Sequence, residues 1–133
     1  MEWSRYLLAV FCAGLASGMT DWLFAGVLFH EKYKAYPEVW RYSGGKGENF
    51  AVAWSIILGF FTCAVFIYSV WTFDITGWHK ALLFSVLIWA SVAVPLLITN
   101  ALFIKLHPLV VTSNALSWLA KLMLAAAASV LFL

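Results

Sequence analysis

Four long stretches of hydrophobic residues dominate the chain, and short polar segments separate them. Each stretch is at least as long as the roughly 20 residues that a helix needs to cross the hydrocarbon core of a bilayer. None shows strict polar–apolar alternation, and a backbone in lipid must satisfy its own hydrogen bonds. The pattern predicts an all-α fold: an integral membrane, antiparallel four-helix bundle forming one domain over residues 1–133. The predicted spans are 6–29, 50–73, 81–103 and 109–133.

The basic residues of the short connections predict the orientation of these spans. Positively charged residues of short connections stay in the cytoplasm. We therefore expect the first and third connections to be cytoplasmic, both termini to be non-cytoplasmic, and the membrane to be a bacterial inner membrane. The first and third connections contain Lys32, Lys34, Arg41, Lys46 and Lys105, whereas the opposite side has only Arg5 and Lys80.

Composition agrees with a membrane protein and limits its partners. The chain is 65% hydrophobic and 11% charged, whereas soluble domains carry roughly 25% charged residues. A soluble fold of this length could not bury so much apolar surface. The net charge of +2, without a long cluster of bases, argues against a nucleic-acid partner. The expected partners are membrane lipid and either further copies of the chain or other membrane subunits.

Asp21 and Lys121 are the most informative residues, because each interrupts a hydrophobic stretch. A charge at the centre of a spanning helix costs about 2.5–3.5 kcal/mol on insertion scales. Counted from the same end of the bundle, the two residues lie roughly 12 and 18 Å deep at about 1.5 Å per residue. They are expected to face the interior, within reach of each other. Three interpretations remain open: an ion pair that fixes helix register, a proton or cation site, or separate roles in a cavity or towards an anionic ligand.

Small and polar residues recur at helical spacing, which predicts an interior more polar than the perimeter. If ions cross the bundle, Thr99, Asn100 and Asn114 are expected to line their route together with the charged pair. The first span carries Gly14, Ser17, Gly18, Asp21 and Ala25 on one stripe; the last carries Asn114, Ser117, Lys121, Ala125 and Ala128; and the third carries Ser91, Pro95 and Thr99, with Asn100 on the adjoining face.

His30, Glu31 and His107 fall on the predicted cytoplasmic side. They form a possible metal or proton-entry site, although ordinary interfacial positions are favoured because no two histidines have ligand spacing within one helix. The chain has no nucleophile elbow, zinc motif or nucleotide-binding loop. We therefore predict no catalytic residue, no metal site and no enzymatic activity, and leave any cofactor unspecified.

Two further features have plain interpretations. Residues 43–47, which read Ser-Gly-Gly-Lys-Gly, are predicted to be flexible. Their last four residues, Gly44-Gly45-Lys46-Gly47, superficially resemble a phosphate-binding loop but lack its spacing and context, so a flexible turn is favoured. Cys12 and Cys63 lie inside hydrophobic stretches without a CxxC motif, which favours buried small side chains over a redox or metal pair.

The stretch Asp21-Trp22-Leu23-Phe24-Ala25-Gly26-Val27-Leu28-Phe29, followed by an aromatic and basic connection, resembles uncharacterised small four-span bacterial membrane proteins. The later Leu106-His107-Pro108 turn is similar too. The resemblance implies a four-span architecture and no particular activity. Small multidrug transporters also carry an acid in the first span, but theirs is a glutamate in a local motif that this chain lacks.

These observations favour a small transporter or ion-conducting oligomer that uses an intramembrane Asp/Lys site. The alternative is a non-catalytic structural or assembly subunit of a larger membrane complex, in which the two charges only set packing. A membrane enzyme using the histidines is the least supported hypothesis.

Overall fold

The computed structural model describes residues 1–42 and 44–133. Within these residues the chain forms helices and no strands, as the hydrophobic pattern predicts. Four helices are long and apolar enough to cross a membrane, and they form a bundle, so the chain is an all-α, multi-pass membrane protein. The spans are Trp3–Leu28, Gly45–Thr72, Trp78–Phe103 and Pro108–Phe132.

The second span begins earlier than the hydrophobic pattern predicts. Gly44 has a φ of 96°, a conformation that glycine adopts without strain, and the helix begins at Gly45. The predicted flexible turn over 43–47 is therefore wrong for Gly45, Lys46 and Gly47, while Ser43 lies outside the described residues. The lack of a side chain at Gly47 leaves room for the Tyr42 ring to pack against this first helical turn.

The first connection contains two short helical pieces. An α-helical turn covers His30–Tyr33, and a 3₁₀ turn covers Pro37–Val39, with the proline in its first turn as its fixed φ favours. Lys105 Nζ of the third connection lies 4.8 Å from the centroid of the Tyr36 ring. The same nitrogen is 3.4 Å from Glu38 Oε1. The first and third connections therefore meet at one end of the bundle, which we call the first-connection end.

The fourth span lies at the centre of the bundle. It packs against each of the other three spans, and the first and second spans also pack against each other. Its buried face is rich in small side chains, which let neighbouring helix backbones approach closely. Ala125 and Ala126 have no exposed surface, and Ala128 and Ser129 are also buried.

The first span approaches the second at Gly14. A side chain at Gly14 would collide with the Phe60 ring, so this glycine is required for the close contact. Gly18, one helical turn further on, faces open space, because an added Cβ would meet nothing within 4 Å. Of these two glycines, Gly14 therefore forms a close contact between spans, whereas Gly18 does not. The thiols of Cys63 and Cys12 are free, the first buried and the second partly buried.

The third span changes its helical form in the middle. It is α-helical over Trp78–Ile88, π-helical over Trp89–Ala93, and α-helical again over Val94–Phe103. Pro95 explains the position of the change, because a proline has no N–H for the preceding turn. The span is joined to the fourth by the Trp89 indole, which donates to Ala115 O at 2.8 Å.

The polar stripe of the third span lies on an exposed face. Ser91, Pro95 and Thr99 are all exposed, and so is Asn100. The structure therefore does not bring Thr99 and Asn100 to the interior as predicted. Helical spacing shows which residues share a face, but it does not show which way that face points in the bundle.

Candidate functional site

An ion pair lies between the first and fourth spans. Lys121 Nζ is 3.0 Å from Asp21 Oδ2. The two side chains differ in exposure. The lysine side chain is 10% exposed, whereas the aspartate side chain is 39% exposed. Ser117 donates a hydrogen bond to the other carboxylate oxygen, Asp21 Oδ1. The pairing that the sequence left open is therefore present, and it includes a serine that the sequence placed on the same stripe as Lys121.

Local helix geometry explains why these three groups meet. Ser117 and Lys121 are four positions apart on one helix, so their side chains project from the same face. Asp21 is the last residue of the α-helical part of the first span, and the π-helical segment Trp22–Leu28 follows directly. Widened turns of this kind occur frequently at functional sites.

Small residues and one aromatic ring enclose the lysine. A Cβ added at Gly59 would lie 3.9 Å from both Lys121 Nζ and Ser17 Oγ, so the lysine stem fills space that the second span leaves open. The ammonium also lies over the Trp118 ring, 4.8 Å from its centroid. A carboxylate and an aromatic face both stabilise a cation in a site poor in water. The buried thiol of Cys63 also contacts Ser17, with its sulfur 3.9 Å from Ser17 Oγ.

Tyr33 of the first connection reaches the same face of the fourth span. Its phenol donates to Asn114 Oδ1 at 2.7 Å and lies 3.2 Å from Ser113 Oγ. Burial raises the pKa of Tyr33 above its ordinary value of 10.0, the contact with Ser113 lowers it, and the Asp21 charge raises it. The phenol is therefore a neutral donor at physiological pH. Nothing in the sequence identifies this contact, because Tyr33 is one of several aromatic residues in its connection.

These polar groups follow the fourth span inward from the first-connection end. We call the set the polar ladder: Tyr33, Ser113, Asn114, Ser117, Asp21 and Lys121. Beyond Lys121 the packing is mainly apolar, with Ala9, Ala13, Ile67 and Ala125 all buried. The buried hydroxyls at this level, Ser85 of the third span and Ser129 of the fourth, donate to backbone carbonyls. The polar ladder therefore leads from the first-connection end to the ion pair and ends there.

The other candidate residues lie elsewhere. Thr99 and Asn100 are exposed on the third span, away from the pair, while Asn114 belongs to the polar ladder. Glu31 pairs with Lys34 at 3.5 Å, and His107 Nδ1 accepts from the Leu109 N–H at the start of the fourth span. Over the residues that the structure describes, no hydrogen bond or ion pair joins His30 or Glu31 to His107, and no cluster of His, Cys, Asp or Glu side chains could hold a metal ion.

An apolar groove of about 340 Å³ lies between the second and third spans. Its floor is formed by Trp118 and Leu122 of the fourth span. The hydroxyls of Thr62 and Ser69 line the groove but donate to carbonyls of their own helix. The groove thus offers a hydrocarbon surface, and Trp118 connects it to the ammonium of Lys121.

Comparisons with known protein families, curated proteins and solved structures find no match to this chain.

Proposed function

We propose that this chain is a small transporter or ion-conducting oligomer, and that the Asp21–Lys121 pair is its proton or cation site. The supporting observation is the unequal enclosure of the two charges. A carboxylate has about four lone-pair positions, and of the residues that the structure describes, Lys121 and Ser117 alone engage those of Asp21, whose side chain is 39% exposed. The acid therefore has acceptor capacity left for a proton or a cation, while the lysine is enclosed.

The pairing makes occupancy of the acid depend on the lysine. A proton or cation that binds Asp21 weakens the attraction between the carboxylate and the ammonium. Lys121 is then a buried charge without a full partner, which is costly in a low dielectric. Binding at Asp21 should therefore shift Lys121 towards other contacts, and the return of Lys121 should release the bound ion. This competition is the step that would couple binding to a change of conformation.

The polar ladder supplies a route to the pair from the first-connection end. We propose that this end is cytoplasmic, because it holds most of the basic residues, and that both termini lie outside the cytoplasm of a bacterial cell. A route to the opposite side would form through self-association or through rearrangement of the apolar packing beyond Lys121. Neither step needs an enzymatic centre or a metal.

The proposal is tested by flux into liposomes that contain the purified protein. Asp21→Asn should abolish gradient-driven proton or monovalent-cation flux, because the neutral amide neither takes up a proton at physiological pH nor carries the negative charge that attracts a cation. The double variant Asp21→Asn with Lys121→Gln should fold normally, as judged by gel filtration and thermal unfolding, and should remain inactive. Asp74→Asn is the matched control, since Asp74 is an exposed acid in the second connection. Wild-type flux in the Asp21 variants, or no flux for the wild type across a panel of solutes, would contradict the proposal.

A second candidate, a non-catalytic subunit of a larger assembly, has its own supporting observation. The open space beside Gly18 lies one helical turn before Asp21, on a side of the first span that the other spans leave uncovered. A helix of another protein would fit against this face and cover the aspartate. Gentle solubilisation and native mass spectrometry should then recover a partner of different sequence in fixed stoichiometry. Recovery of this chain alone under the same conditions would contradict the subunit hypothesis.

A further inference from the structure

We propose that the short helix His30–Tyr33 is a lid, and that the Tyr33 side chain closes the polar ladder at the first-connection end. In this arrangement Tyr33 controls access to the Asp21–Lys121 pair along the fourth span from the first-connection end. The biological meaning of the lid rests on the proposed function, whereas its test measures access alone.

The position of Tyr33 carries the first step of this inference. It is partly buried, while its neighbours His30, Glu31, Lys32 and Lys34 are all exposed. Its phenol contacts Ser113 and Asn114, the two members of the polar ladder that lie closest to the end of the fourth span. Ser117 follows one helical turn deeper and contacts Asp21. The Tyr33 ring therefore lies between the first-connection end of the bundle and the Ser117 hydroxyl, which contacts the Asp21 carboxylate.

Trp40 stacks against the Tyr33 ring and helps to hold it in place. The two rings stack with their centroids 5.6 Å apart and their planes at 28°. The Trp40 indole also donates to the backbone carbonyl of Tyr33 at 2.6 Å. Because 40% of Trp40 is exposed, this support lies at the surface of the protein. The lid thus consists of an inner tyrosine and an outer tryptophan that position each other.

The lid is held by few contacts and can open without unfolding a span. It is a single helical turn, and Phe29 before it has a non-helical backbone, with φ −116° and ψ 12°. The ion pairs nearby, Glu31–Lys34 and Glu38–Lys105, are exposed, and exposed pairs add little stability. The hydrogen bond from Tyr33 to Asn114 is therefore the main directional contact that keeps the ring over the polar ladder.

The experiment measures how fast a reagent reaches the site with the lid intact and with it removed. A single thiol is introduced by Ser117→Cys in the full chain, in which Cys12→Ala and Cys63→Ala remove the native thiols. The protein is placed in lipid nanodiscs, where both ends are accessible. Modification by a water-soluble cationic methanethiosulfonate reagent is then followed by mass spectrometry.

Removal of the Tyr33 ring should accelerate modification. Tyr33→Ala is expected to raise the rate by about tenfold or more, and Tyr33→Phe, which keeps the ring and loses one hydrogen bond, by roughly two- to tenfold. Tyr42→Ala is the matched control, because Tyr42 belongs to the same connection but packs against Gly47 of the second span. Its rate should equal that of the parent.

Two results would overturn the proposal. One is an unchanged rate in both Tyr33 variants, with the thiol shown to be reactive after denaturation. The other is equal acceleration by Tyr42→Ala, which would indicate general loosening of the connection. Tyr33→Phe keeps the test decisive if Tyr33→Ala does not fold. Faster modification combined with wild-type flux in Asp21→Asn would support the lid and contradict the proposed transport site, so the two proposals fail separately.

Discussion

The two halves of the fourth span, in the same helix and the same membrane, are built on different principles. Towards the C-terminus its buried residues are mostly alanines, together with Leu122 and Ser129, and the apolar ones pack against alanines of the first span and Ile67 of the second. Towards the first-connection end, the same helix places hydroxyl, amide and ammonium groups against Asp21 and Tyr33. One half is held by close packing, and the other by a few directional contacts.

This difference indicates where the molecule is rigid and where it can change. Close packing of small residues involves many weak contacts that are lost together, so it resists local opening. A polar ladder depends on individual bonds, each of which can exchange with water, a proton or a cation. The π-helical segment of the first span and the short helices of the first connection also lie in the polar half. Conformational change should therefore begin there.

The largest expected effect comes from removing one charge of the pair. Asp21→Leu should lower the free energy of unfolding by about 3–5 kcal/mol, because it leaves the enclosed Lys121 without a partner. The double variant with Lys121→Met should regain most of the loss, since both charges are then absent. Unfolding by a denaturing detergent measures all three differences. A double variant as unstable as the single one would show that lost packing, and not an uncompensated charge, is the cause.

Gly14 and Gly18 of the first span test how closely that span is packed against its neighbours. Gly14→Ala should cost about 1–3 kcal/mol, because the Phe60 ring must move to admit the methyl group. Gly18→Ala should be neutral or should stabilise the helix by up to about 1 kcal/mol, because the added Cβ meets open space. The same unfolding assay compares them. Equal destabilisation by the two variants would contradict the difference in packing described here.

Ser117→Ala should have a smaller effect on stability. The variant loses one hydrogen bond to a carboxylate that remains paired with Lys121, at an expected cost of about 1 kcal/mol. Thr112→Ala is a suitable control, because the exposed Thr112 hydroxyl donates only to the carbonyl of Pro108 in its own helix. A loss for Ser117→Ala no greater than that of the control would show that the serine contributes little to the site.

The smallest expected effect is a dependence on alkaline pH at Tyr33. Its pKa is raised above 10.0 mainly by burial, so the folded state favours the neutral phenol. The stabilising contribution of the phenol is then fully present below the ordinary tyrosine pKa, and is lost as pH rises through the higher folded-state pKa. Difference absorbance between the wild type and Tyr33→Phe isolates this titration. A Tyr33 pKa at or below 10 would contradict the partly buried position of the ring.

Much of the fold could be predicted from the sequence because a bilayer imposes strong rules on single segments. Runs of hydrophobic residues suffice to locate four spans, and the rarity of charges in lipid marks Asp21 and Lys121 as interior residues. The start of the second span at Gly45 could not be predicted, because its first turn consists of glycines, Lys46 and Glu48 and carries no hydrophobic signal. The exposure of Thr99 and Asn100 could not be predicted either, because helical spacing groups residues on one face without fixing how the helix is rotated in the bundle.

The sequence by itself determined that this is a four-span membrane protein with one acid and one base inside its spans, because the cost of polar groups in hydrocarbon acts on each segment separately. Only the tertiary structure decided that the fourth span is central, that Asp21 pairs with Lys121 and Ser117, and that Tyr33 lies over the polar ladder. Such contacts join residues far apart in the chain, and they depend on which helices are neighbours and on how each is rotated about its axis. Hydrophobicity leaves both undetermined.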